Sequence, residues 1–264
     1  MERVLINQNK NIQNTASSKQ YFVVNPEVKS IKLPAGINAD ILFETLPNNN
    51  DLLIDIDRDS EVTISFLAKD VPEQYKMTVN VKGNSKVEAY FADFSSQKVH
   101  FSFVGNLLEN EATMNWHLSS LSASKDNKTF DISVNHIAPR TYARMDNYGV
   151  CKDDGKLVFF GVSTINNGSK GSKTHQNSKI MVFDALSNGI AKPILKIDEN
   201  DIEASHAAVV GKINDEHLFY LTSRGLTEEA AKQLITFGYL KPIMNGFVEE
   251  EIKEEISSLI ERRM

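Results

Sequence analysis

The 264 residues hold one cysteine, Cys151, and one tryptophan. A lone thiol excludes an intrachain disulfide framework, so the fold must rest on a packed core. No stretch approaches the roughly 20 apolar residues that a membrane-spanning helix requires. The N-terminus MERVLINQNKNIQN lacks the apolar segment of an export signal, and a cytoplasmic protein with no membrane span is expected. Basic residues are outnumbered, 29 Lys and Arg against 35 Asp and Glu for a formal charge of −6. That balance argues against nucleic acid as a partner, because phosphate is held mainly by clustered Lys and Arg. Also missing is any G-x-x-x-x-G-K-[ST] run, so nucleotide chemistry would belong to another protein. No His or Cys stands at close metal-ligand spacing from another.

What is present, from about Tyr21 to about Ile213, is alternation. Val62, Ile64 and Phe66 form one row, followed by Val99, Phe101 and Phe103, then Met114, Trp116 and Leu118, then Phe130, Ile132 and Val134. The opposite parity is largely polar, as a strand with two unlike faces requires. The segments LPNNND, VKGNSK, SASKDNK, CKDDGK and INNGSKGSK separate these runs and carry the Gly, Asn and Asp that turns demand. Strand follows strand with no helix between. Alternation alone leaves a sandwich, a barrel and a β-helix open, and no exact repeat is visible.

Beyond Ile213 the period becomes helical. In LTEEAAKQLITFGYL, Thr227 suits an N-cap, Glu228 and Glu229 suit the positive end of the helix dipole, and Leu234 with Ile235 mark an apolar face that Gly238 weakens at its far end. In NGFVEEEIKEEISSLIERRM, Val248, Ile252, Ile256, Leu259 and Ile260 form one stripe, expected to pack within the subunit. The expected division is a β core over 1–213 and a small helical domain over 214–264.

The run DIEASHAAVVGKINDEHLFYLTSRGL, Asp201 to Leu226, resembles the C-terminal signature of the SufB/SufD family of the SUF iron-sulfur cluster assembly system. The matching elements are Ser205-His206-Ala207, Val210-Gly211-Lys212, Leu218-Phe219-Tyr220 and Ser223-Arg224-Gly225-Leu226. Similarity continues more weakly upstream through HIAPRTYARMDNYGVCKDDGKLVFFGVSTI, covering about the last half of the chain. The resemblance implies a mainly β protein, a right-handed parallel β-helix core followed by a small C-terminal α-helical domain. It also implies a non-catalytic scaffold that pairs with a SufB-like subunit and docks the ABC-type ATPase SufC through its C-terminal helices. Where SufB carries its essential cysteine this chain reads LSNGIAKP, so it resembles SufD more closely. The family's N-terminal helical region has no visible counterpart.

The resemblance makes His206 the candidate ligand of a transient Fe–S cluster at the interface with a SufB-like partner, since imidazole can complement thiolates on iron. Many SufD chains carry Cys two residues before this histidine. Here the position is Ala204, which argues against a cluster held by this subunit alone. Without the family, His206 reads as a histidine satisfied inside a buried strand. Cys151 is the weaker metal candidate, since a free cysteine usually packs as a small hydrophobe. His136 shares the parity of Phe130 and reads as a core-edge residue, while His100 and His117 read as exposed. His175 aligns only loosely with the family. Gly211, Arg224 and Gly225 are read as structural, Gly225 supplying a positive φ and Arg224 bonding carbonyls at a strand-to-helix junction. Two other functions are weighed. One is a homodimeric SufC-binding scaffold without SufB. The other, more distant, is a polysaccharide-acting enzyme on a β-helix, using Asp55 with Asp57 or Asp153 with Asp154 as paired carboxylates.

Overall fold

A computed structural model describes residues 3–7, 10–12, 18–45, 51–69 and 73–264. Most of the turn LPNNND therefore lies outside the described residues. The alternating runs form strands β1 (Arg3–Ile6), β2 (Lys10–Asn11), β3 (Gln20–Val24), β4 (Ser30–Leu33), β5 (Asn38–Phe43), β6 (Asp51–Ile56), β7 (Glu61–Ala68), β8 (Gln74–Val81) and β9 (Lys86–Asp93). They continue as β10 (Lys98–Leu107), β11 (Thr113–Ser122), β12 (Asn127–His136), β13 (Tyr142–Cys151), β14 (Lys156–Ile165), β15 (Ser172–Val182), β16 (Asn188–Ile197) and β17 (Ile202–Lys212). Odd-numbered strands stack into one parallel sheet of nine, even-numbered strands into a second of eight. Each coil thus places one strand in each sheet, which makes the core a parallel β-helix and resolves the choice that alternation left open.

Inward side chains of successive coils stand above one another, because parallel strands in register share a face. One column runs Ile64, Ala89, Trp116, Met145, Gln176 and His206. Aromatic rings fill the middle of the bore, with Phe103 and Trp116 centred 4.3 Å apart and Phe91 and Phe101 4.4 Å apart.

The absence of a visible repeat has a geometric cause. Coils lengthen along the axis, from 25 residues between the bonded pair Asp59 and Asn84 to 31 between Asn147 and Ser178. What recurs is backbone conformation. Gly36, Asp59, Asn84, Glu111, Arg140 and Gly171 occupy the same corner of consecutive coils, and all have positive φ. Their amides donate to the next coil at Arg58, Gly83, Asn110, Pro139, Lys170 and Asp201. Only the first and last are glycine, so a sequence comparison sees nothing constant there. On the outer face of the even sheet Asp55, Asn80, Asn106 and Asn135 are linked side chain to side chain at 2.8, 2.9 and 2.9 Å.

Three helices follow: α1 (Asp215–Ser223), α2 (Glu228–Leu240) and α3 (Glu250–Glu261), with a 3-10 turn at Lys241–Gly246. The side chain of Thr227 accepts from the Ala230 amide as an N-cap, as expected. Gly238 does not end α2, which continues to Leu240. The apolar face expected from Leu234 is corrected: Leu234 is exposed, and α2 buries Ala231, Thr236 and Leu240. In α3, Ile252, Ile256 and Ile260 are buried as the stripe required, but Val248 precedes the helix and is exposed. The chain folds back so that Leu240, Ile243, Phe247 and the α3 isoleucines cover Tyr21, Val23, Leu42, Leu67 and Phe94 on the outer odd sheet. Gly246 lies so close to the Tyr90 ring that a Cβ would sit 2.1 Å from it. Arg263 anchors the end of the chain by an ion pair with buried Asp126 and a bond to the Phe94 carbonyl, 2.9 Å.

Fully buried charge occurs inside the bore. Lys128 Nζ donates to Asp93 at 2.7 Å, to the Ser95 carbonyl at 2.7 Å and to the Leu121 carbonyl at 2.9 Å. Burial pulls the lysine below its ordinary range while Asp93 opposes the shift. His136, expected at the core edge, is wholly buried, with Nδ1 2.7 Å from Thr141 Oγ.

Two outcomes follow from this packing. Ile256→Ala opens a cavity under α3 and is expected to lower the unfolding free energy by about 2–4 kcal/mol in denaturant titrations. Burial pushes the His136 imidazole down to about 4. An unfolded histidine titrates near 6.5, so between those values the unfolded chain binds the extra proton and stability falls as pH drops. The loss from pH 7 to 4 assigned to this group is about 3 kcal/mol. His136→Gln should flatten that part of the stability profile, and an unchanged slope would contradict the assignment.

Candidate functional site

The last coil differs from those before it. In β15, Ser172, Thr174, Gln176, Ser178 and Ile180 face the bore and are buried. Their register partners in β17 are Ile202, Ala204, His206, Ala208 and Val210, none of them buried. Val210 is 44% exposed. Nothing among the described residues stacks on this coil, so the helix ends in an open mouth flanked by the two edge strands β16 and β17.

His206 sits at that mouth. It lies in the middle of a strand, as the reading without the family expected, but the strand is not buried there and the histidine is exposed. Its imidazole forms no hydrogen bond among the described residues. Beneath it in the column is Gln176, 3% exposed, whose Nε2 donates to Ser163 Oγ at 2.8 Å and to the Ile194 carbonyl at 3.0 Å. The Gln176 Oε1 has no partner. The bore thus changes from aromatic at Trp116 to polar at Gln176 to open at His206. On the outward side, His175 Nδ1 lies 2.8 Å from Ser205 Oγ and Lys173 pairs with Glu203 at 2.7 Å, tying β17 to β15.

The other singled-out residues lie elsewhere. Cys151 is buried at a coil corner, its thiol donating to the Gly155 carbonyl at 2.9 Å, and burial pushes it up to about 11. A neutral, enclosed thiol is a poor nucleophile or ligand. His100 is exposed as expected and meets Asp131 at 2.6 Å. His117 is only partly exposed, 3.1 Å from Glu88 and stacked on Tyr90 at 4.5 Å. Three of these four carboxylates are engaged structurally: Asp55 accepts from Asn80, Asp57 pairs with Lys82 at 3.3 Å, and Asp153, at positive φ on a corner, accepts from the Ser124 amide at 3.1 Å. No group of three or more His, Cys, Asp or Glu able to hold a metal occurs among the described residues.

The signature run spans β17, α1 and the turn into α2. Sequence reasoning missed α1 as a helix, although Asn214 followed by Asp215 and Glu216 carries a start signal. The Asn214 side chain caps the amides of Glu216 and His217. α1 buries no residue, and Phe219 and Tyr220 are 75% and 56% exposed. Arg224 is corrected: it caps α1 rather than a strand-to-helix junction, and its guanidinium lies over the Tyr220 ring at 5.2 Å. Gly225 has φ +97° as expected, and the amides of Gly225 and Leu226 return to the Thr222 and Leu221 carbonyls in a Schellman closure. At Gly211 an added Cβ would meet nothing within 4 Å.

Residues 9–239 match the family model for the SufBD core domain of SUF-system FeS cluster assembly. The chain is 34% identical to the iron-sulfur cluster assembly protein SufD of Bacillus subtilis over 137 residues, 52% of this chain and 31% of that one. It is 25% identical to a SufBD family protein of Staphylococcus saprophyticus over 236 residues, 88% of this chain and 50% of the relative. A Mycobacterium bovis SufBD family protein matches at 32% over 129 residues, 49% of this chain and 15% of the relative. The chain therefore spans half or less of the curated relatives it matches. No helix is long and apolar enough to cross a membrane among the described residues. The parallel β-helix, the helices folded back on it and the match over 9–239 agree: the chain belongs to the SufBD core family of SUF-system iron-sulfur cluster assembly proteins.

Proposed function

We propose that the chain is a SufD-like scaffold subunit with no catalytic chemistry of its own, working in the cytoplasm. It pairs through its open mouth with a SufB-like subunit and docks a SufC-like ATPase through α1 and α2. The observation that carries this reading is the uncapped last coil with His206 at its centre. Strands β16 and β17 keep one backbone edge unpaired, a template for another chain's strands. Ala204, Ala207 and Ala208 leave room for close approach.

A transient Fe–S cluster is the cargo. His206 supplies one imidazole nitrogen, and thiolate ligands come from the SufB-like partner, since Cys151 is enclosed and no other cysteine exists. Placing the ligand at a subunit boundary lets the cluster be released when the boundary moves. Phe219 and Tyr220, with Leu226 and Leu234 nearby in sequence, expose an apolar surface of the kind a helix-docking partner covers. The same open edge can accept a second copy of this chain, so a homodimeric SufC-binding scaffold is the competing assembly.

Anaerobic co-expression with the cognate SufC and SufB-like proteins, followed by purification through a tag on this subunit, separates the possibilities. The heteromer predicts all three chains and an Fe–S cluster. His206→Ala should lose cluster iron while the subunits remain together, and Phe219→Asp should lose the ATPase alone. Recovery of two copies with the ATPase and no SufB-like chain would favour the homodimer. Failure of a folded chain to recover either partner would sink the proposal.

A further inference from the structure

Away from the mouth, the outer odd sheet and the end of α2 enclose a groove of about 510 Å³, within the range of about 300–1,000 Å³ typical of small-molecule sites. Its walls include Tyr90, Tyr148 and Tyr239, with Pro242 and Gly238 on the helical side. We propose that this groove binds a small aromatic anion: a flat ring lying along the backbone at Gly238, with its negative group at Lys179.

Three observations carry this. Gly238 sits inside α2, where glycine costs about 1 kcal/mol relative to alanine. A Cβ there would meet nothing within 4 Å, so no packing within the chain requires glycine. The open space there lets a flat ring lie directly against the helix. The electrostatics are one-sided as well. Asp146 is neutralised by Arg144 at 2.6 Å, and His117 is engaged by Glu88 at 3.1 Å. Lys179 makes no ion pair among the described residues and rests over the Tyr148 ring, 5.8 Å from its centre. It is the one lysine or arginine lining the groove, free to meet an anion. Finally, the walls are braced without the occupant. Tyr239 meets Tyr148 edge to face at 5.3 Å, and Ser119 Oγ donates to the Leu240 carbonyl at 3.3 Å, so little ordering remains to be done on binding.

The test uses 2-naphthoate, its neutral isostere 2-naphthamide, and acetate, each titrated into the full chain by calorimetry and by amide NMR shifts. Naphthoate should bind with shifts centred on Tyr148, Lys179 and Gly238, naphthamide more weakly, and acetate not measurably. Lys179→Gln should weaken naphthoate about tenfold, the loss of one charge-assisted contact, and leave naphthamide unchanged. Gly238→Leu should abolish binding of both rings while raising the melting temperature, since leucine is the better helix former. Equal affinity for naphthoate and naphthamide, binding that survives Gly238→Leu, or no binding of naphthoate at millimolar concentration would each overturn the proposal. The first two would mark nonspecific apolar binding only.

Discussion

Six consecutive coils of this protein turn the same corner, from Gly36 to Gly171, and the residue at that corner adopts a left-handed conformation. The cost for a residue with a side chain is of order 1 kcal/mol per position. It is offset because each corner amide donates to a carbonyl of the next coil, as Asp59 does to Gly83 and Asn84 to Asn110. The corner therefore sets the register, and the register stacks like side chains into columns. A slip by one residue would turn Phe66, Phe91 and Leu118 outward together.

Register also explains how the stack of coils can be densely packed in the middle and open at one end. The bore is aromatic around Trp116, where packing dominates. At the same level it holds a buried ion pair of Lys128 and Asp93, and it ends in Ser163, Thr174 and Gln176, a polar layer that a purely apolar core would not need. The layer brings polar groups up to the mouth, where His206 continues the column. The helical segment leaves that mouth clear by folding back over the outer odd sheet, locked by Ile256, by Arg263 on Asp126 and by the close approach of Gly246 to Tyr90.

Alternation such as Val99, Phe101 and Phe103 made the strands legible, and the change of period after Ile213 placed the helical segment. The choice of a β-helix was not in the periodicity. It came from the resemblance, because the conserved feature of the coils is a φ angle carried by Asp59, Asn84, Glu111 and Arg140, four different residues. His206 was reachable only through the Ser205-His206-Ala207 signature, since local sequence cannot say that Ile202 to Val210 ends a stack instead of lying within one. α1 escaped notice because Leu218, Phe219 and Tyr220 are consecutive and none is buried, giving no amphipathic period. Leu234 misled for a different reason, its exposure being decided by where α2 docks.

The central claim, that the last coil is an open end awaiting another subunit, is tested most directly by amide hydrogen exchange on the chain alone and with a SufB-like partner. Alone, the amides of β16 and β17 should exchange much faster than those of β10 to β13, and adding the partner should slow them selectively. Equal protection in the isolated chain, or no change on adding the partner, would contradict the account.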